Sequence, residues 1–147
     1  MQYSFVVPGE PKGKARARTF YDYKHGITVS KTPEGTALYE NLVKMCWQRA
    51  SGNYRFQDGA QLHIGIQAYY GIPKRTPKKY LPFMLSGLIR PVKTPDVDNI
   101  AKIVLDALNK LAYKDDSSIV LLTVEKFYSD KPLVKVTIGE MEVPQNE

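Results

Sequence analysis

The chain has 147 residues, a formal net charge of +6, one cysteine and 43% hydrophobic residues, a length that suits one domain able to bury a core without disulfide or metal staples. A lone cysteine excludes an internal disulfide framework, and no stretch reaches the roughly 18 apolar residues of a membrane span. Met1 to Pro8 carries no charged leader ahead of an apolar run, so a cytoplasmic protein away from any membrane is expected, and the positive balance favours a polyanionic partner such as nucleic acid.

Tyr3, Phe5 and Val7 alternate with Gln2, Ser4 and Val6, the period-two pattern of a half-buried strand that Pro8 and Gly9 end. From Gly9 to Lys31 the residues Lys12, Lys14, Arg16, Arg18, Lys24 and Lys31 stand against only Glu10 and Asp22, and the stretch reads as a basic loop or ragged hairpin. Thr32, Pro33 and Glu34 predict a helix start, because proline is tolerated in a first turn; Leu38, Leu42, Met45, Cys46 and Arg49 continue at helical spacing towards Gly52. A second strand alternates Leu62, Ile64, Ile66 and Ala68 with Gln61, His63, Gly65 and Gln67, and stops near Gly71 and Pro73.

Ile72 to Lys93 holds no acidic residue, while Lys74, Arg75, Lys78, Lys79, Arg90 and Lys93 are interleaved with Tyr80, Phe83 and prolines, which predicts a mobile loop. Ile100, Ile103, Val104, Ala107, Leu108 and Leu111 fall on one helical face, with Asp96 or Asp98 as the cap. Two β-rich runs, 119–128 and 133–138, flank Ser129 to Pro132 as a hairpin, and the tail after Met141 reads as frayed. The order β-α-β-α-β-β predicts an α/β (α+β) fold, two helices packed on a mixed four-stranded sheet, in a single domain over residues 1–147.

The chemistry concentrates around the third predicted strand and the helix before it. Pro95 disfavours helix at Thr94, so Asp96 to Asp98 is expected in extended or turn geometry, where period-two alternation points Asp96 and Asp98 the same way. Two neighbouring carboxylates repel, and a divalent cation between them removes the repulsion and adds Lewis acidity. The blander reading makes Asp98 a cap and Asp96 a solvated turn residue. Lys102, four residues after Asp98, shares its helical face: either a surface i, i+4 pair or an ammonium placed to stabilise charge on a reacting phosphate. Asp106 reads as a partner of Lys102 or Lys110. Strand alternation after the adjacent Asp115 and Asp116 lets only one of them face Asp96 and Asp98; Asp116 is the favoured one, with Asp115 behind it or facing solvent. His25 and His63 are too scattered for a histidine metal motif and read as structural.

These residues carry a resemblance. The stretch Thr94-Pro-Asp-Val-Asp-Asn-Ile-Ala-Lys, continuing through Asp106-Ala-Leu-Asn109 to Lys114-Asp-Asp-Ser-Ser-Ile119, resembles the signature of the RusA family of Holliday junction resolvases, crossover junction endodeoxyribonucleases often carried by prophages. Pro8-Gly-Glu-Pro-Lys-Gly-Lys-Ala-Arg-Ala-Arg18 is similar to a basic strand-exit motif in one branch of that family, and Val29-Ser-Lys-Thr-Pro-Glu-Gly-Thr-Ala-Leu-Tyr39 resembles its approach to the first helix. The resemblance implies a homodimeric, Mg²⁺-dependent endonuclease that nicks four-way DNA junctions and leaves 5′-phosphates. It also implies Asp96, Asp98 and Asp116 as essential carboxylates and Lys102 as the essential lysine. The spacing from Asp98 to the acidic pair is one residue shorter than in the best-known member, which leaves Asp115 against Asp116 open.

The mechanism expected is in-line attack of a metal-activated water on a phosphodiester, with Mg²⁺ (or Mn²⁺) held by Asp96, Asp98 and Asp116. Phosphate contacts are expected from Lys12, Lys14, Arg16 and Arg18 and from Lys74, Arg75, Lys78, Lys79, Arg90 and Lys93, and Tyr80 and Phe83 either stack on unpaired bases or pack on a dimer partner. A junction's approximate two-fold symmetry calls for two active sites, as a C2 dimer supplies. The competing readings are a metal-dependent nuclease for forks, flaps or RNA, and a nucleic-acid-binding module without catalysis.

Overall fold

Period-two burial builds the sheet of this protein, whose computed structural model describes residues 1–31 and 33–144. In chain order the elements are β1 (Gln2–Pro8), β2 (Arg18–Asp22), β3 (Ile27–Lys31), α1 (Glu34–Ser51), β4 (Leu62–Gly71), α2 (Leu81–Leu85), α3 (Val97–Leu108), β5 (Ile119–Ser129) and β6 (Leu133–Glu140), with 3-10 turns at Lys78–Tyr80 and Asp116–Ser118. Along β4 the residues Leu62, Ile64, Ile66, Ala68 and Tyr70 are all buried and their alternates are not. That alternation sets one face of the strand against the helices. The sheet runs β1-β6-β4-β5; β6 is antiparallel to both β1 and β4, and β5 is parallel to β4. The expected α+β fold on a mixed four-stranded sheet is what forms, but β5 and β6 do not pair with each other as the hairpin expected across Ser129 to Pro132: β4 lies between them and takes one on each edge.

The parallel pair governs the layout. A chain leaving β4 at Gly71 must return to the opposite end of that strand before pairing Ile119 with Leu62, and α3 makes the return. Its buried stripe of Ile100, Ile103, Val104, Ala107 and Leu108 joins Ile64, Ile66, Val136 and Ile138 in the core. Against the expected span, α3 stops at Leu108: Asn109 turns out of helical geometry (φ −59°, ψ 131°) and Lys110 takes a left-handed φ of 66°. Leu111 is therefore past the helix.

Two segments are more ordered than their composition suggests. The basic stretch closes as an antiparallel hairpin, β2 on β3, with Asp22 opposite Ile27. The segment from Ile72 to Lys93 holds the short α2 as a third helix, which packs on β5 through the buried Met84, rather than a structureless loop. Thr32, read as the helix approach, lies outside the described residues, and Pro33 takes the N-cap position of α1. Of the tail after Met141, residues 142–144 carry no regular structure and 145–147 lie outside the described residues.

α1 buries a different stripe from the one at Leu38, Leu42, Met45 and Cys46. Thr36, Tyr39, Val43 and Trp47 face the sheet, while Leu38 and Met45 are 64% and 61% exposed. Both stripes fit a helical period, and the one carrying the large aromatic rings goes inside: Trp47 stacks on Phe56 at 6.2 Å and meets Tyr3 edge-on at 5.5 Å. Gly52, at a left-handed φ of 65°, ends the helix where expected. Trp47→Ala is predicted to cost about 3–5 kcal/mol of stability and Met45→Ala no more than about 0.5 kcal/mol, as read from urea unfolding midpoints.

Candidate active site

The acids at the start of α3 stand on its first turn. After a cis Thr94-Pro95 peptide, Asp96 occupies the N-cap position (φ −74°, ψ 156°) and its carbonyl accepts the Ile100 N–H at 3.0 Å, while its side chain makes no capping bond. Asp98 is already helical. The expectation of an extended Asp96-Val97-Asp98 is thus corrected: the helix begins as soon as Pro95 is passed, and only Asp96 keeps extended geometry. Both aspartates and Lys102 are exposed. Asp98 and Lys102 lie one turn apart on the same helical face.

The sheet supports this turn from below. Tyr70, buried at the end of β4, donates its hydroxyl to the Pro95 carbonyl at 2.6 Å. Burial, and then the negative charges of Asp96 and Glu10, push the Tyr70 phenol up to about 12, so it remains a donor at neutral pH. Lys126 of β5 donates to the Lys93 carbonyl at 2.5 Å, with its ammonium 5.1 Å from the Tyr70 ring centroid. From the other side the loop after β1 closes in. Glu10 accepts the Gly71 N–H at 3.1 Å, the Lys14 N–H bonds the Asn99 carbonyl at 2.9 Å, and a cleft of about 360 Å³ opens between Lys12, Gly13 and Asp96.

The second acidic pair sits at the far end of α3. Asp115 is exposed and caps the turn into β5 by accepting the Ser117 N–H at 3.2 Å; its bonds to Ser117 hold its carboxyl below the usual range. Asp116 is half-buried. Its Oδ1 accepts the Tyr113 hydroxyl at 3.1 Å, and Tyr113 also donates to the Leu105 carbonyl at 3.0 Å. Burial raises the Asp116 carboxyl, the Tyr113 bond opposes it, and the charges of Asp106 and Asp115 add to the rise. Leu105 lies seven residues beyond Asp98, a climb of about 10 Å at 1.5 Å per residue. Within one chain, then, Asp116 is brought to Asp106 and Tyr113, away from Asp96 and Asp98. Among the described residues no three His, Cys, Asp or Glu side chains are grouped to hold a metal ion.

Asp106 has a different partner from the one expected. Its carboxylate binds the Lys14 ammonium at 3.2 Å, and Lys14 also pairs with Glu40 of α1. The Lys14 side chain is only 20% exposed. Burial works against its charge, but the Glu40 and Asp106 carboxylates outweigh that and hold the ammonium above the ordinary lysine value. Lys14 is thus engaged as a clamp between the N-terminal loop, α1 and α3, unlike the exposed Lys12, Arg16 and Arg18. Arg90 is similarly taken, over the Phe127 ring at 4.4 Å and 3.5 Å from Glu125. Lys74, Arg75, Lys78, Lys79 and Lys93 are exposed, as are Tyr80 and Phe83. His25 bonds Asp22 in the β2–β3 turn, and His63 lies near the start of β4 among the residues that alternate with the buried ones.

Tyr70, Lys126, Gly13 and Tyr113 were not singled out by pattern. Lys126 left a trace: it shares the inward face of β5 with Val124 and Tyr128, where alternation calls for an apolar residue. Gly13 carries no such signal, since only the fold shows how closely it approaches α3.

The family described as Endodeoxyribonuclease RusA matches residues 8–139. The chain is also 35% identical over 141 residues to Uncharacterized protein YqaN of Bacillus subtilis (strain 168), covering 93% of this chain and 95% of that protein.

Because Lys14 bridges two partly buried carboxylates, its removal leaves both unpaired. Lys14→Met is predicted to lose about 1–3 kcal/mol in urea unfolding, whereas Arg16→Ala stays within about 0.5 kcal/mol.

Proposed function

The chain belongs to the RusA family of endodeoxyribonucleases, and from that membership we propose that it is a Mg²⁺-dependent homodimer that resolves four-way DNA junctions by paired nicks. One observation carries the site assignment. Asp96 and Asp98 stand exposed at the N-terminus of α3, and among the described residues neither pairs with a lysine or arginine. Asp96 makes no cap bond either, which weighs against reading it as a helix cap alone.

Carboxylate oxygens are the donors a hard divalent cation takes, so Asp96 and Asp98 suit Mg²⁺ or Mn²⁺. Two of them are too few to fix a metal, and Asp116 is tied through the Tyr113 hydroxyl to Leu105, whose position on α3 is about 10 Å of helix beyond Asp98. A two-fold axis crossing α3 near its middle would run two copies of the helix antiparallel. It would carry each Asp116 to the Asp96 and Asp98 of the other protomer and set Lys102 close to the axis. Each of the two sites would then be completed by both chains. When bound, the cation supplies Lewis acidity and an activated water for in-line attack on a phosphodiester. The protein's own groups do the rest. The carboxylates orient, the Lys102 ammonium stabilises charge gathering on the phosphate, and Lys12, Arg16, Arg18 and Lys93 neutralise flanking phosphates.

Asp98→Asn is predicted to abolish cleavage of a four-way junction in Mg²⁺ while junction affinity in EDTA is kept or strengthened, since a negative charge facing phosphates is lost. A gel-shift and nicking assay on the same preparation checks both, and full activity sinks the assignment. Sharing of the site is tested by mixing. Asp98→Asn and Asp116→Asn, each inactive alone, are expected to regain single-strand nicking when co-refolded, because one of the two sites in the mixed dimer is intact. Sites contained within single chains would stay dead in that mixture.

A further inference from the structure

We propose that Tyr70 and Lys126 are positioning residues that grip the backbone ahead of α3 and so set where the Asp96 and Asp98 carboxylates stand for a cation; this rests on the metal-site reading above. β4 and β5 are parallel, with Ala68 opposite Lys126 and Tyr70 opposite Tyr128. Tyr70 and Lys126 are therefore diagonal neighbours on the helix-covered face. Lys126 is half-buried there, its stem along the sheet and its ammonium at the surface. The ammonium is satisfied by the Tyr70 ring at 5.1 Å and by the Lys93 carbonyl at 2.5 Å.

Tyr70 in turn holds the Pro95 carbonyl at 2.6 Å. The two side chains thus fix the carbonyls of Lys93 and Pro95, and the peptide that begins at the Pro95 carbonyl ends at the Asp96 nitrogen. Pro95 cannot swing away to the other side. Gly13 lies so close that a Cβ placed on it would come within 2.8 Å of the Pro95 Cβ and 3.0 Å of the Asn99 Cβ. The segment is held between a sheet floor and a glycine lid. Neither Tyr70 nor Lys126 needs to touch the metal or the DNA to do this.

Calorimetric Mg²⁺ titration of the full-length protein tests the idea, on the wild type, Tyr70→Phe, Lys126→Met, Lys126→Arg and, as a site control, Asp98→Asn. Melting temperature and four-way-junction affinity in EDTA are measured alongside. Tyr70→Phe and Lys126→Met are expected to bind Mg²⁺ about 10-fold more weakly, the range in which supports of metal ligands act. Their junction affinity in EDTA should match wild type, their melting temperature should move by only a few degrees, and Lys126→Arg should recover most of the loss. Wild-type Mg²⁺ affinity in both variants overturns the proposal. So does a loss of junction affinity in EDTA as large as the loss for Mg²⁺, which would make Lys126 a phosphate contact, or a large drop in melting temperature that Lys126→Arg does not repair. If Asp98→Asn binds Mg²⁺ as wild type does, the metal-site reading itself has failed and the positioning role falls with it.

Discussion

Parallel pairing of β4 with β5 is the constraint from which the site follows. Parallel neighbours need a connection that travels the length of the strand, and α3 provides it by running back along the sheet. Whatever precedes α3 is therefore delivered to the end where Tyr70 lies, and whatever follows it to the end where β5 begins. Asp96 and Asp98 belong to the first group, Asp115 and Asp116 to the second. The helix that unites the acidic residues in the sequence is what keeps them apart in the monomer, and the proposed dimer is the arrangement that brings them back together.

Around that frame the basic residues divide by whether their charge is already used. Lys14 is tied to Glu40 and Asp106, Arg90 to Glu125 and Phe127, and Lys126 to a carbonyl and an aromatic face. Satisfied in this way, they stiffen the approach to α3 and the cover over β5. Lys12, Arg16 and Arg18 are exposed, and the proposed function gives their charge to phosphates. The net charge of +6 thus mixes cations that already have partners in the fold with exposed ones, and composition has no means of separating the two.

Much of the frame was legible because it rests on local periodicity. β1, β4 and α3 announce themselves by alternation or by a helical stripe, and the order of elements then selects an α+β sheet. α1 was legible as a helix but not in its orientation, since two stripes fit a helical period and tertiary packing chose the one with Tyr39 and Trp47. The acids at 96, 98, 115 and 116 stood out as residues; their separation within one chain did not, because it depends on which end of α3 delivers each of them. Lys14 and Gly13 show the deeper limit. Their roles depend on contacts with Glu40, Asp106, Pro95 and Asn99, far along the chain, and no local pattern encodes such contacts.

The most direct test uses a synthetic four-way junction labelled in turn on each strand, set against a linear duplex of the same arms. In Mg²⁺, symmetric nicks in two opposing strands near the crossover, ending in 5′-phosphates, are expected, with the duplex left whole and no cutting in EDTA. Cutting that persists in EDTA, duplex cut as readily as junction, or an intact junction in both Mg²⁺ and Mn²⁺ would contradict a metal-dependent junction endonuclease.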